Sequence, residues 1–149
     1  MKITMKKNAL LRAESQCHSH ARSDVSIRDV VLTIDEPVER GGTNLGPTPT
    51  ESVVATLIGC TNVIAHKCAK KQNINIGNLH ISAVCEFDRR GVLLEEEIDI
   101  PFKKVTLTVK TNPTVDKSEL DRIAKDVAKY CPLSKLFQQA GTEVEAIWL

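Results

Sequence analysis

The spacing of apolar residues changes several times along the chain. Between Lys2 and Pro37, short runs of β-branched and apolar residues are separated by polar turn-forming residues, which predicts two or three antiparallel strands. Residues 40–49 (RGGTNLGPTP) are dense in glycine and proline, so we expect an irregular loop there rather than a helix or a central strand.

The segment Thr50–Asn73 is typical of one long helix. Thr48 or Thr50 is expected to cap its N-terminus with Pro49 in the first turn, and lysines gather at its C-terminal end, where cations are favoured. Its middle, residues 53–65, has almost no charge on any side, and a helix that is apolar all round is buried all round. Because one layer of strands covers only one face, a second copy of the same helix is expected on the other.

The second half of the chain alternates between the strand period and the helix period. The predicted elements are strands at 79–87 and 105–111, helices at 116–130 and 133–139, and a last strand at 143–149. Pro132 interrupts the first of these helices and suits the first position of the next, which places Cys131 at or near an N-cap. A chain of 149 residues fits a single domain, so we expect one domain over residues 1–149.

Composition narrows the function classes. The chain has 149 residues and 42% apolar content, enough to bury a core without disulfides or metals. Twenty basic and nineteen acidic residues give a net charge of +1, so nothing indicates a nucleic-acid partner. The N-terminus lacks the apolar core of a signal peptide, and no stretch of roughly twenty apolar residues stands out as a membrane span. We therefore expect a soluble, cytoplasmic protein without a membrane partner.

Thiols are the candidate chemistry. The five cysteines are Cys17, Cys60, Cys68, Cys85 and Cys131. An odd number without a C-x-x-C pair predicts neither a disulfide framework nor a zinc ribbon or thioredoxin-type site. Cys60 lies in the apolar part of the long helix, where a thiol is ordinarily inert unless a cation is brought to it. Cys131 faces a helix N-terminus, which is expected to lower its pKa. Cys68 and Cys85 are expected to be core residues.

Three motifs carry a family resemblance. Residues 35–60 (DEPVERGGTNLGPTPTESVVATLIGC), the RRG turn at 89–91 and residues 131–137 (CPLSKLF) resemble the osmotically inducible protein C and organic hydroperoxide resistance family, and the likeness covers nearly the whole chain. The resemblance implies an α+β fold with antiparallel sheets wrapped around a long central helix, an intertwined homodimer, and a two-cysteine peroxidase. Carried over by motif, Cys60 would be the peroxidatic cysteine and Cys131 the resolving one.

The implied reaction needs no metal and no organic cofactor. A Cys60 thiolate would attack the O–O bond of an organic hydroperoxide and become a sulfenic acid, which would condense with Cys131 to a disulfide. An external dithiol would then reopen that disulfide. The apolar surroundings of Cys60 favour an alkyl hydroperoxide, because such a substrate has hydrocarbon to bury.

The activating charges depart from the family pattern. The family pairs an arginine with a glutamate ten residues before the reactive cysteine, where this chain has Thr50. Glu51 is the replacement candidate, although a first-turn carboxylate needs no further role. Nine helical residues put Glu51 about 13 Å along the axis and about 180° around it from Cys60, so Glu51 is expected to act across a dimer. Arg40 is the favoured cation and Arg22 the second choice, with a solvated surface arginine as the alternative for each.

Two other functions stay open. With its glutamate displaced, the protein could be a catalytically weak relative that binds a small apolar ligand or senses oxidants. A metal-binding domain could use Cys17, His18 and His20, although the second ligand cluster that a closed tetrahedral site needs is missing from the pattern.

Overall fold

The computed structural model describes residues 5–149, and the chain divides into two compact units, Met1–Ser52 and Val53–Leu149. Over the described residues the elements are β1 (Glu14–Cys17), β2 (Ser23–Ile27), β3 (Val30–Ile34), a 3-10 turn (Val38–Arg40), α1 (Pro49–Lys71), β4 (Leu79–Phe87), β5 (Phe102–Thr111), α2 (Lys117–Tyr130), α3 (Pro132–Gln139) and β6 (Glu143–Trp148). The predicted α+β class is confirmed. Helix α1 runs through the boundary of the units, and the single domain stays a prediction.

The first unit contains an antiparallel meander in the order β1-β2-β3. Ile27 pairs with Val30, so Arg28 and Asp29 form a two-residue hairpin turn in which Arg28 takes a left-handed conformation with φ of 56°. The two or three strands predicted for this region are therefore three.

A buried carboxylate organises the glycine- and proline-rich loop that follows β3. Asp35 is fully buried and accepts hydrogen bonds from the backbone N–H groups of Glu36, Thr43 and Leu45 and from the Thr43 hydroxyl. The Thr43 hydroxyl is the largest cause that lowers the pKa of Asp35 to about 2, and the backbone donors add to it against the opposing effect of burial. The loop is therefore irregular but held at its centre by one ionised side chain.

Two glycines let the same loop follow its tight path. A Cβ atom at Gly42 would overlap the carbonyl oxygen of Glu36, and one at Gly46 would overlap the carbonyl oxygen of Thr33. Because both obstacles are backbone atoms, a side chain at either glycine would displace the loop.

A capping box opens α1. The Thr48 hydroxyl accepts the backbone N–H of Glu51 at 3.2 Å, and the Glu51 carboxylate accepts the backbone N–H of Thr48 at 2.9 Å. Pro49 follows as the first helical residue, where its missing N–H costs nothing. The cap is thus Thr48, one of the two residues that the sequence left open.

Helix α1 is buried along only one of its faces. Leu57 and Ala65 are fully buried, whereas Val53 and Val63 are 39% and 51% exposed, and a Cβ atom at Gly59 would meet nothing within 4 Å. Burial on all sides is therefore wrong for the isolated chain. The uncovered apolar face is the one for which the sequence predicts a second copy of the helix.

By length and composition α1 could also cross a membrane. The expectation that no stretch approaches a membrane span is therefore too strict. Core helices of water-soluble proteins share this length and composition, and the absence of a membrane partner stays a prediction.

The second unit holds a mixed sheet in the order β4-β5-β6. β4 and β5 are antiparallel, as expected, but β6 pairs parallel to β5, which differs from the predicted antiparallel sheets. The reason is that α2 and α3 form a crossover that returns the chain to the end at which β5 began. The buried core joins α1, the inner face of β5 and the two later helices; its largest members include Leu57, Ile76, Val105, Val109 and Ile123.

We expect the Asp35→Asn variant to be less stable than the wild type at neutral pH. We also expect it to lose less of its unfolding free energy than the wild type does as the pH falls. The folded pKa of Asp35, about 2, lies below its unfolded value near 4, so the carboxylate contributes stability that is complete above about pH 4 and is lost as pH falls toward 2. Urea unfolding of both proteins between about pH 7 and 2 measures this, and the gap in unfolding free energy should narrow only in the acid range. A gap that is constant with pH would contradict this account of the loop.

Candidate active site

Two thiols far apart in the chain lie in contact within the second unit. The Sγ atoms of Cys60 and Cys131 are 3.2 Å apart, with Cys131 donating its S–H to Cys60. Both cysteines are free. Cys60 lies on α1 and is half-buried, whereas Cys131 is 0% exposed. The structure therefore brings together the two cysteines that the family motifs single out and gives them unequal access to solvent.

Cys131 is held by the junction of two helices. Its backbone N–H donates a hydrogen bond to the carbonyl oxygen of Val127 near the end of α2. Its Sγ accepts a hydrogen bond from the backbone N–H of Ser134 at the start of α3. Pro132 ends α2 because it cannot continue the hydrogen-bond ladder, and it opens α3 as the first helical residue. One residue thus serves as C-cap and N-cap, which leaves its sulfur little freedom.

Burial decides the charge state of Cys131. Desolvation is the largest cause that raises the pKa of Cys131, and the adjacent sulfur of Cys60 raises it further. The backbone N–H groups of Ser134 and Leu133 act in the opposite direction but do not outweigh burial. The expectation of a lowered pKa for Cys131 is therefore not met, because helix-terminus electrostatics are weaker here than the loss of water.

A protonated Cys131 has a use beside Cys60. Its S–H points at the Cys60 sulfur, and a hydrogen bond to a sulfur anion is stronger than one to a neutral sulfur. A disulfide needs an S–S distance of about 2.05 Å, so closing the gap from 3.2 Å takes little more than about 1 Å of motion. The pair can therefore pass between dithiol and disulfide without unfolding either helix.

The second-choice arginine is committed to its own hairpin. Arg22 donates two parallel hydrogen bonds to the Asp24 carboxylate, at 3.1 and 2.9 Å, and Asp24 also accepts from Thr33 and pairs with His18. The hydrogen bond from Arg22 is the largest cause that lowers the pKa of Asp24. This network explains Arg22 as a structural residue of the β1–β2–β3 meander.

The favoured arginine has a looser attachment. Arg40 donates Nε to the Glu36 carboxylate at 2.7 Å, and its side chain is 59% exposed. That hydrogen bond is the largest cause that raises the pKa of Arg40, and the charges of Glu36, Glu51 and Glu39 raise it further. Arg40 and Glu51, the two predicted activating residues, therefore lie within each other's electrostatic field in the first unit.

In the part of the chain that the structure describes, the other cysteines and most of the histidines lie in surroundings unrelated to a metal site. Within residues 5–149 no group of three or more His, Cys, Asp or Glu side chains is arranged to hold a metal ion. The Cys17 sulfur accepts the Ser23 hydroxyl, and His18 pairs with Asp24. Burial raises the pKa of Cys68 and of Cys85, in keeping with core thiols. The metal-binding alternative therefore lacks a ligand set in the described chain.

Sequence reasoning missed a cavity beside the cysteine pair. It has a volume of about 210 Å³, and its lining includes Thr61, which follows Cys60, and Ser134, whose N–H bonds Cys131. The other lining residues are mainly small or apolar side chains from β5, α2 and β6. This volume is below the usual range of about 300–1,000 Å³ for small-molecule sites. The hydrophobic pattern of the sequence does not predict the cavity, because the cavity forms only where α2, α3 and β6 meet.

Comparison with known proteins relates this chain to a protein family and to solved structures. The family model described as OsmC-like protein matches residues 42–146. No curated protein sequence matches the chain. The solved structure of an OsmC-like protein from Mycoplasma pneumoniae is 17% identical, with a TM-score of 0.77, and covers 97% of this chain and 98% of its own.

Two further solved structures are of proteins named for a biological role. The organic hydroperoxide resistance protein OsmC of Legionella pneumophila is 18% identical, with a TM-score of 0.70 and coverage of 95% of this chain and 98% of its own. The organic hydroperoxide resistance protein OhrB of Bacillus subtilis is 21% identical, with a TM-score of 0.65 and coverage of 95% and 100%. At these identities the structures show a shared fold, and the family model spans most of the sequence; the chain therefore belongs to the OsmC-like protein family.

Proposed function

We propose that the protein is a two-cysteine peroxidase that reduces organic hydroperoxides with electrons from an external dithiol. The observation that carries the proposal is the contact between Cys60 and Cys131, two free thiols of unequal exposure whose sulfurs are 3.2 Å apart. A buried structural cysteine needs no such partner. A peroxidatic cysteine needs a second thiol near enough to trap its sulfenic acid.

The proposed reaction uses the difference between the two thiols. The Cys60 thiolate attacks one oxygen of the hydroperoxide, the O–O bond breaks, and the alkoxide leaves as an alcohol after taking up a proton. Cys60 is then a sulfenic acid. The Cys131 sulfur attacks it, water leaves, and a disulfide joins the two residues. Cys60, which reacts with the substrate, is the more accessible of the two residues. Cys131, which resolves the intermediate, is buried in the core.

The substrate class follows from two lines of support. Two structural neighbours are named organic hydroperoxide resistance proteins. Cys60 also packs against the apolar core, as do the half-buried Ile58 and Ile64 of the same helix. A site with hydrocarbon walls gains by burying an alkyl chain, which hydrogen peroxide lacks.

The homodimer belongs to the same proposal. On α1, Val53, Gly59 and Val63 are apolar and exposed in the single chain, and the exposed Thr56 between them donates its hydroxyl to the carbonyl oxygen of Val53. A second copy of α1 would remove that surface from water.

The cysteines bear on the compartment. All five are free thiols, which fits a reducing compartment, so we place the protein in the cytoplasm.

We assign the activating charges to Arg40 and Glu51. Support comes from the family pattern of an arginine paired with a glutamate, and from the electrostatic coupling of these two residues in the structure. Arg22 is a poorer candidate because the Nε and Nη2 edge of its guanidinium already binds the Asp24 carboxylate.

One observation favours a second function. Within residues 53–149, no lysine or arginine donates a hydrogen bond to either sulfur of the pair; the donors are Cys131 itself and the backbone of Ser134. A pair without a cation would oxidise slowly, as expected for an oxidant sensor or a binder of small apolar ligands. The rate of Cys60 oxidation separates the two functions.

We expect one equivalent of an alkyl hydroperoxide to convert the wild type to a form lighter by two hydrogens, with the disulfide mapping to Cys60 and Cys131. Cys131→Ser should gain one oxygen on Cys60 and react with a sulfenic-acid probe, because nothing resolves the intermediate. Intact-mass analysis and peptide mapping measure both. Cys68→Ser is the matched control and should behave as the wild type. Oxidation of other cysteines with this pair untouched would end the proposal.

Arg40→Ala should slow the oxidation of Cys60 by about tenfold or more near neutral pH, since an opposite charge shifts a pKa by about 1–3 units. The loss should shrink as pH rises and the thiolate forms without help. Glu51→Gln should give a smaller effect in the same direction. Stopped-flow oxidation across pH measures the rates, with Arg22→Ala as control. Equal rates for all four proteins would remove Arg40 from the mechanism.

Val63→Arg should disrupt the homodimer, because it puts a charge in the middle of the uncovered α1 face. Light scattering coupled to gel filtration should show a dimer for the wild type and a shift toward monomer for the variant. Leu136→Arg, which changes an equally exposed apolar residue on α3, is the control and should stay dimeric. A wild type that is monomeric at all concentrations would refute the dimer.

A further inference from the structure

We infer that the external dithiol regenerates the protein by attacking the Cys60 sulfur, with the Cys131 sulfur as the leaving group stabilised by the start of α3. The inference rests on the proposed function, since it concerns the disulfide that the peroxidase reaction leaves behind. It assigns a positioning role to the backbone N–H of Ser134, which neither the family motif nor the resemblance names.

Access selects the sulfur that is attacked. A thiolate must reach a disulfide sulfur along the S–S axis, on the side opposite the leaving sulfur. Cys131 is 0% exposed and closed in by α2, α3 and the core, so no reagent can line up behind it. Cys60 is half-buried, so within the chain it is the more accessible of the two sulfurs. Only attack on Cys60 with departure of Cys131 satisfies both conditions.

The structure also prepares Cys131 to leave. As the S–S bond breaks, Cys131 receives the electron pair as a thiolate, inside a core where burial raises its pKa and slows its departure. The N–H of Ser134 points at this sulfur at 3.5 Å, and the N–H of Leu133 acts in the same sense. These two groups are unpaired donors of the first turn of α3, so they can stabilise the anion without losing a helical hydrogen bond.

The step balances with the dithiol alone as reductant. One thiolate of the dithiol bonds to Cys60 Sγ while the Cys60–Cys131 bond breaks, and Cys131 takes up a proton from the surroundings. The second thiol of the reductant loses its proton and attacks the first reductant sulfur, and Cys60 leaves as the thiolate that the next hydroperoxide needs. The reductant ends as a disulfide, and two electrons pass to the protein.

Pulse trapping on the wild-type protein tests the point of attack. The disulfide is made with diamide, which needs no peroxidase activity, and is then treated briefly with 2-mercaptoethanol and quenched with acid. The protein is unfolded in denaturant before N-ethylmaleimide is added, so that the maleimide reaches every free thiol. Peptide mapping should show the mercaptoethanol adduct on Cys60 and the maleimide on Cys131, with roughly tenfold excess over the reverse pattern. An adduct mainly on Cys131, or no disulfide between the two after diamide, would overturn the inference.

This test separates the inference from the proposed function. If alkyl hydroperoxides leave Cys60 untouched but diamide and the pulse give the adduct on Cys60, the peroxidase is refuted and the direction of exchange stands. If hydroperoxide oxidation succeeds but the adduct lies on Cys131, the peroxidase stands and the inference is refuted.

A pair of variants at one position tests the role of the backbone donor. Ser134→Pro removes the N–H that faces Cys131 Sγ, at a first-turn position where proline is tolerated, whereas Ser134→Ala keeps that N–H and removes only the hydroxyl. Reduction of the diamide-made disulfide by dithiothreitol should be roughly tenfold slower in the proline variant and near the wild-type rate in the alanine variant.

The pH profile distinguishes this role from a general loosening of the site. With the donor removed, the apparent pKa of Cys131 in the reduced protein should rise, as read from the ultraviolet absorbance of its thiolate across pH, with the same titration of Cys131→Ser subtracted. A looser site would instead speed reduction without raising that pKa. Wild-type reduction rates and pH profile in a folded Ser134→Pro would overturn the role, and if that variant does not fold, the trapping result on the wild type decides the direction of attack.

Discussion

The contact between Cys60 and Cys131 depends on one covalent detail, the proline that follows Cys131. Pro132 ends α2 and starts α3, so the residue before it must cap both helices. The packing of α1 through Leu57 and Ala65 sets where the other sulfur lies. Two sulfurs 3.2 Å apart are therefore the outcome of helix capping on one side and core packing on the other.

Burial gives the two thiols different chemistry without any change of residue type. The inner thiol loses water, keeps its proton and can offer that proton to its neighbour as a hydrogen bond. The outer thiol keeps a path to solvent. The same asymmetry orders the oxidative and the reductive steps, because the sulfur that a peroxide can reach is also the sulfur that a reductant can reach. A single geometric fact thus bears on both halves of the proposed cycle.

The sequence predicted the elements whose signals are local. The apolar run of α1, the Thr48–Pro49 start and the Cys131–Pro132 junction are read from neighbouring residues, and each lies where it was expected. Three features depend on tertiary contacts and could not be read in this way: the parallel pairing of β6, the raised pKa of Cys131, and the burial of Asp35 under its loop. The first two reflect atoms that the chain brings together over tens of residues, and the third reflects a loop that folds back on a residue up to ten positions earlier. No local pattern encodes the loss of water that follows.

The position of Glu51 has an explanation that is independent of catalysis. A capping box places Glu or Gln three residues after the capping threonine; because Thr48 is the cap, that position is 51 rather than 50. One carboxylate oxygen accepts the Thr48 N–H, and the charge as a whole still raises the pKa of Arg40. The departure from the family pattern therefore does not by itself indicate a lost activity, because the same carboxylate holds the helix start and still raises the pKa of Arg40. In this chain the helix cap and the proposed activating pair share one side chain, so a change at position 51 acts on the fold and on the charge of the loop together.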